Sequence, residues 1–396
     1  MQQTYTLVAF GGVSPEHEVS VLTAMQAIAA LRETDRSLIP LYITKEGRWL
    51  TGSPLLDLEN YEELDQLISQ SQACTFSHDQ HGAPILLETE SRGWFKSPQS
   101  YPIDVVITAF HGSEGENGSF QGTCEQYNIP YTGCGVLASA IGMDKVKTKK
   151  LCQAHDIPVV QGIDFTESQW IKDAASILND IDHLGYPVIL KPVHLGSSIG
   201  VTRIEQPEEA EEAIEEAFRY DAHLLIEKAI QPLKEINCSV LGHGDELQTS
   251  VCERPLGQEE LLSFEDKYQR GEEGGKGMAS QDRVIPADIE TDMTQHIQEL
   301  SRSIFRMIDG SGLARLDFLV HAKTGKTYFN EINTIPGSFS FYLWEHSNYS
   351  MKDLMLKLIE FAHQAHREKN GRIRSYETNL LSQKAITGLK GLKGNK

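Results

Sequence analysis

The 396 residues are short of several things, and each shortage removes a class of explanation. No apolar run approaches the length of a membrane span, so no transmembrane helix is expected. Positive charge is scarce: 36 Lys and Arg stand against 56 Asp and Glu, a net charge of −20. That balance argues against nucleic-acid partners and against an anionic membrane surface. Cysteine is sparse, and the six present (Cys74, Cys124, Cys134, Cys152, Cys238 and Cys252) form no CxxC pair. They read as reduced, small hydrophobic residues of a cytoplasmic chain rather than as a disulfide or zinc framework. The opening MQQTYTLVAFGG has no basic stretch before its apolar run and turns at once into Gly-Gly, so no signal peptide is expected. The phosphate loop GxxxxGK[ST] is absent, so any nucleotide site must be of another kind.

What is present is enough apolar residue, 40%, for a large core, and enough length for two or three domains. TYTLVAFGG (4–12), SVLTAMQAIAALRE (20–33) and IDVVITAFHG (103–112) alternate strand, helix and strand. This predicts an open parallel α/β sheet at the N-terminus. Residues 57–100 lack clear periodicity and read as a peripheral insertion. GVLASAIGMDKVKTKKLCQAHDI (135–157) reads as helical, HLLIEKAI (223–230) as a strand, and EINCSVLG with ELQTSVCE as an antiparallel pair. The Gly-rich segment 264–286 is too long for a plain turn and is expected to be a lid or an insertion. Residues 367–396 carry eight Lys or Arg against two Asp or Glu, which suggests a disordered basic tail.

One stretch carries chemistry in its spacing. LARLDFLVHAKTGKTYFNEINTIPGS (313–338) reads as a hairpin turning near Thr324-Gly325. Centred there, Asp317 lies opposite Glu331 and Arg315 opposite Asn333, all four on one face, with Leu316, Phe318, Tyr328 and Ile332 on the other. Two adjacent carboxylates and an amide suit Mg²⁺, a cation that commonly binds substrate phosphates as well. A solvated outer face is the plainer alternative. KPVHLGSSIGV adds strand-borne Lys191 and a loop with Gly196, Ser197, Ser198 and Gly200, small enough for backbone N–H groups to approach a phosphate. LIEKAIQPLKE sets Glu227 and Glu235 around a strand and turn, where an ordinary surface acid is the plainer reading. FGGVSPEHEVS ends the first strand, where Glu16 or Glu18 could hold an ammonium or simply favour the next helix N-terminus. His111 opens HGSEGENGSFQG, another polar loop after a strand.

Together with IPYTGCGVLASAIGMDK, DKY, GLARLDF and NEINTIPG, these stretches occur in the order found in the D-alanine–D-alanine ligase family of the ATP-grasp superfamily. The chain resembles that family over most of residues 7–365. The resemblance implies an ATP-grasp fold: an N-terminal Rossmann-like domain (1–141), a central subdomain (142–225), a C-terminal subdomain with metal site and lid (226–365), and a flexible tail (366–396). It implies an ATP-dependent, ADP-forming ligase that makes D-alanyl-D-alanine through an acylphosphate for peptidoglycan synthesis. The alternatives are D-lactate, D-serine or a secondary-metabolite amine as acceptor, or a nucleotide-binding regulator without catalysis. Carried over by motif, Lys145, Lys191 and Ser198 would contact ATP phosphates. Glu227, Lys228 and Ile230 would frame the adenine and Glu235 the ribose. Asp317, Glu331 and Asn333 would bind two Mg²⁺ ions, replaceable by Mn²⁺. Arg315 and the backbone N–H near Gly337 would stabilise developing negative charge. Glu16 would bind the first ammonium in a network with Ser197 and Tyr268, and Lys267 with Tyr268 would sit on the lid. The tyrosine implies an amine acceptor and an amide product.

After Gly337 the chain is several residues shorter than the family pattern, which has there a serine for the acceptor carboxylate. Ser338 and Ser340 are the candidates, with Phe339, Phe341, Tyr342 and Trp344 as acceptor walls or core packing. Small-molecule amino acids are the expected partners, and a homodimer is compatible with the sequence without being specified by it.

Overall fold

A computed structural model describes residues 3–90, 97–256 and 283–375. The expected lid residues Lys267 and Tyr268 and all but the first residues of the basic tail lie outside them.

The first sheet holds β1 (Tyr5–Gly11), β2 (Leu38–Ile43), β3 (Trp49–Thr51), β4 (Gln72–His78), β5 (Pro84–Glu88) and β6 (Ser100–Thr108). β1 runs parallel to both β2 and β6, as the strand–helix alternation predicts. The sheet is not open, however. β3, β4 and β5 pair antiparallel in series and join β2 to β6, closing a barrel. Residues 72–88 of the stretch read as a peripheral insertion are therefore part of the barrel wall. Its strands are short: Cys74 and Phe76 turn inward two residues apart, and β5 is a brief apolar run, Ile85–Leu87, too little pattern to register as periodicity. Helix His17–Arg32 lays Ala24, Ile28 and Leu31 on this sheet, and the last helix, Met351–Asn370, returns to the same core through Leu354, Leu358 and Phe361.

The second sheet runs β7 (Gly162–Thr166), β10 (His223–Lys228), β8 (Val188–Pro192), β9 (Thr202–Ile204). The third runs β13 (Arg283–Val284), β12 (Glu246–Pro255), β11 (Leu233–His243), β14 (Gly312–His321), β15 (Thr327–Asn333), all antiparallel. The expected helix 135–157 is two helices, Val136–Met143 and Lys145–Ala154. The break is at Asp144, whose carboxylate accepts from the Lys147 N–H and caps the second helix.

The hairpin β14–β15 pairs Arg315 with Asn333 and Asp317 with Glu331, the register read from the sequence. Beyond that pair the ladder slips by one residue, Phe318 facing Phe329, so Asn330 is extra. The slip changes which side chain meets the core. Phe329 is fully buried there, and Tyr328 instead stands opposite Leu319. The expectation that Tyr328 joins the apolar face is therefore corrected: a one-residue bulge moves every side chain past it to the other face.

β14 begins where two parts of the chain touch. Gly312 has φ +75, and a Cβ added to it would come within 2.8 Å of the Gly133 backbone. Gly312→Ala is expected to lower stability by about 1–3 kcal/mol through left-handed strain and backbone crowding. A denaturant midpoint lowered at constant slope would show it; an unchanged midpoint would exclude the close approach.

Candidate active site

A cleft of about 1290 Å³ lies between the second and third sheets, with the start of helix His17–Arg32 at one end. Its third-sheet wall is the polar face of β14–β15. Arg315 grips Asp317 with two parallel bonds, Nε to Oδ1 at 2.7 Å and Nη2 to Oδ2 at 2.8 Å. Asn333 Nδ2 donates to the same Oδ2 at 3.1 Å. Glu331 pairs with Lys145 at 3.2 Å, and Lys145 Nζ also donates to the Leu195 carbonyl at 2.5 Å. Burial works to raise the Glu331 carboxyl, yet Lys145 and Lys191 hold it at about 2. Asp317 moves the other way: burial raises it, and Glu331 and Glu253 add to the rise against the pull of Arg315.

The second-sheet wall is organised by a buried carboxylate. Glu227 accepts from Lys149 on Oε1 at 2.6 Å and from Lys191 on Oε2 at 2.7 Å. Lys191 also donates to Asn330 Oδ1 at 2.8 Å, tying this wall to the bulge opposite. Burial pushes the Glu227 carboxyl up, but the two lysines outweigh it and hold it low. Glu227 thus holds both lysines in place on the cleft wall.

The Gly/Ser loop enters from β8. Ser197 and Ser198 both have left-handed φ, 53° and 59°, and the Ser197 hydroxyl donates to Glu16 Oε1. Between Glu16 and Glu18 the structure decides. Glu16 is buried on the cleft wall, whereas Glu18 pairs with Lys45 at the surface. Glu116, from HGSEGENGSFQG, lies close by and accepts N–H bonds from Gly112 at 3.0 Å and Ile335 at 3.3 Å. Burial and the Glu16 charge raise its carboxyl to about 7. His111 shares a hydrogen bond with Thr23 Oγ1 at 2.8 Å, and that oxygen also accepts the Ser338 N–H at 3.2 Å.

Two cations bound to carboxylates on each side of a roomy cleft, beside a Gly/Ser loop, form a receptacle for a polyanion and a carboxylate substrate. The family model of the D-ala D-ala ligase N-terminus matches residues 6–134, and that of the C-terminus matches residues 151–360. The chain belongs to the D-alanine–D-alanine ligase family. The members of this family are ADP-forming ligases that make a C–N bond. The D-alanine–D-alanine ligase of Thermosipho africanus is 37% identical over 375 residues, 95% of this chain and 97% of that protein. The Bacillus cytotoxicus ligase is 36% identical over 366 residues, 91% and 96% of the two chains. Among solved structures, the Coxiella burnetii D-alanine–D-alanine ligase superposes with a TM-score of 0.78 at 28% identity, covering 95% of this chain and 99% of that one. VanG D-Ala:D-Ser ligase from Enterococcus faecalis superposes with a TM-score of 0.73 at 29% identity, covering 91% and 100%. The fold is the ATP-grasp fold of these ligases.

Of the sequence-predicted residues among those described, Glu16, Lys145, Lys191, Ser197, Ser198, Glu227, Lys228, Ile230, Glu235, Arg315, Asp317, Glu331, Asn333 and Gly337 all line the one cleft. Ser338 and Ser340 do not. Three successive left-handed residues, Ser338 to Ser340 (φ 53°, 51°, 46°), turn both serines into the interior, where they are buried away from the cleft. Of the aromatic residues after them, Phe339 and Trp344 belong to the core and Phe341 packs against it, while Tyr342 reaches Glu253.

Sequence reasoning missed Lys149, Asn330, His194, Glu253 and Arg283. Lys149 was signalled by its place one helical turn after Lys145. His194 spans Asp144 and Asp221, and those two carboxylates raise its imidazole to about 9. It thereby joins the loop to the cap of the Lys145 helix. No local signal marks the other three.

His111 supplies a pH test. Burial, with Arg315 nearby, lowers its imidazole from 6.5 to about 4. The unfolded chain then binds the extra proton between those values, so this contribution is complete above pH 6.5 and lost as pH falls toward 4. Up to about 3 kcal/mol of stability is expected to disappear across that window, less in His111→Gln. Denaturation curves at pH 7 and pH 4.5 measure it. An equal loss in both proteins would refute the assignment.

Proposed function

We propose that the chain joins two D-alanine molecules at the expense of ATP, within the cytoplasm and for peptidoglycan precursors. The observation that carries this reading is the register placing Arg315, Asp317, Glu331 and Asn333 on one face, opposite Lys145 and Lys191. The domain division at 1–141, 142–225 and 226–365 belongs to the reading. In the first step the donor carboxylate attacks the γ-phosphorus of ATP, the bond to the β-phosphate oxygen breaks, and ADP leaves. Lys145, Lys191 and the Gly196–Ser198 backbone would hold the phosphates, with Lys228 and Ile230 about the adenine and Glu235 at the ribose. Glu16, oriented by Ser197, would hold the donor ammonium. In the second step the acceptor amine attacks the acyl carbon, and Arg315 with the Gly337 N–H would steady the oxyanion until phosphate leaves.

Asp317, Glu331 and Asn333 fit Mg²⁺. Among the described residues no three His, Cys, Asp or Glu side chains are gathered for a metal, but here two carboxylates and an amide supply hard oxygens. Burial raises Asp317, and a divalent charge would relieve that cost. When bound, the ion would neutralise phosphate charge.

D-Serine as acceptor is the second reading, since the Enterococcus faecalis ligase named for D-Ser superposes nearly as well as the D-alanine enzyme from Coxiella burnetii. Incubation with ATP, Mg²⁺ and equal D-alanine, D-serine and D-lactate, with products read by mass spectrometry, separates the possibilities. D-Alanyl-D-alanine is expected to dominate. A mainly mixed D-alanyl-D-serine product would replace the acceptor, a depsipeptide would overturn the amide assignment, and absence of ADP release would sink the enzyme reading. Asp317→Asn and Glu331→Gln are each expected to lower turnover by about a hundredfold or more while the fold is kept. Turnover near that of the unmutated protein at low Mg²⁺ in either variant would remove the metal assignment.

A further inference from the structure

The polar row on the third sheet does not stop at the hairpin. Asp317 pairs across the sheet with Asn237, and Asn237 with Glu253, so Glu253, Asn237, Asp317 and Glu331 form one line across four strands. The outer end has its own cation. Arg283 donates from Nη1 to Glu253 Oε2 at 2.7 Å, and its guanidinium lies 3.9 Å over the Tyr342 ring. Asn237 Nδ2 and the Tyr342 hydroxyl both donate to Glu253 Oε1, each at 3.2 Å. Glu253 and Asn237 are almost wholly buried, yet they line the cleft with Arg283.

This end is built for something other than phosphate. The phosphate-side lysines approach the row from Glu331 and Asn330, on the opposite strand. Arg283, stacked on Tyr342, shares the cleft with Gly337, away from Lys145 and Lys191, which meet the row at its other end. Asn237 is turned by Glu253, which requires its Nδ2, and its buried Oδ1 has no hydrogen-bond partner among the described residues. A buried carbonyl oxygen left without a donor is costly, and here it borders a cleft. Arg283 and Asn237 contact the two oxygens of one carboxylate, so a cation and an amide stand side by side on the cleft wall. Ser338 and Ser340, the candidates for the acceptor carboxylate, are turned away.

We propose that Arg283 and Asn237, spread on the two oxygens of Glu253, form the acceptor subsite: Arg283 binds the α-carboxylate of the attacking amino acid and Asn237 Oδ1 accepts an N–H of its amine. Glu253 is a positioning residue that holds both. The assignment rests on the ligase reading above and adds to it the group that recognises the second substrate.

The test separates the two half-reactions in the full chain with ATP and Mg²⁺. Hydroxylamine, which has no carboxylate, traps the activated donor as D-alanine hydroxamate. Arg283→Gln is expected to raise the acceptor KM about tenfold to a hundredfold, while hydroxamate formation and the donor KM stay as they were. Arg283→Lys recovers part of the loss, and Glu253→Gln raises the acceptor KM with little change in kcat. The unmutated protein supplies a measure free of folding effects: offered D-alanine and D-alaninamide together, it is expected to make the dipeptide in large excess over the dipeptide amide. Equal use of the amide, or equal loss of hydroxamate and dipeptide in Arg283→Gln, would overturn the subsite and leave the ligase reading standing. No hydroxamate and no ADP from the unmutated protein would overturn the ligase reading and the subsite with it.

Discussion

Four acids lining the cleft are each matched by a cation. Asp317 has Arg315, Glu331 has Lys145, Glu227 has Lys149 and Lys191, and Glu253 has Arg283. A carboxylate removed from water without such a partner takes up a proton instead. Pairing outweighs burial at Glu331 and Glu227, whose carboxyls the neighbouring lysines hold low. Glu116 shows the contrary case. Buried and facing Glu16, it rises to about 7 despite two N–H donors. The pairs also make the site poised for exchange, since a phosphate or a carboxylate substrate can take over a cation that an internal acid now holds.

Charge pairing requires accurate backbone placement, and small devices supply it. The Asn330 bulge lets two successive residues of β15 serve the cleft: Asn330 meets Lys191, and Glu331 meets Lys145. The Asp144 cap starts a new helix at Lys145 and so aims Lys145 and Lys149, one turn apart, at two different acids. His194 links that cap to the Gly/Ser loop. The Lys191–Asn330 and His194–Asp144 contacts join segments far apart in sequence, and among the described residues the two cleft walls are held in register by side chains rather than by a shared sheet.

The segment after Gly337 is a tight turn anchored from both sides. Three left-handed residues compress the turn, and that strain persists because Phe339 and Trp344 are locked in the core and the Ser338 N–H is held by Thr23. The turn brings Tyr342 against Glu253 and Arg283, placing an aromatic face and a cation together beside the cleft.

Local spacing alone determined a good deal. Alternation in LARLDF and NEIN, with a turn of known length, put Arg315, Asp317, Glu331 and Asn333 on one face, because side-chain direction in a strand has period two and needs no tertiary contact. The order of the motifs along the chain determined the family and hence the fold. Tertiary structure decided the rest. The barrel closed through β3, β4 and β5 since strand pairing, not hydropathy in so short a segment, chose their partners. The bulge exchanged Tyr328 for Phe329, as a ladder can slip without any change of local pattern. Glu253 and Arg283 lie 30 residues apart and meet Asn237 and Tyr342 only through the sheet, so their cluster, like the choice of Glu16 over Glu18, depends on burial that only the assembled walls create.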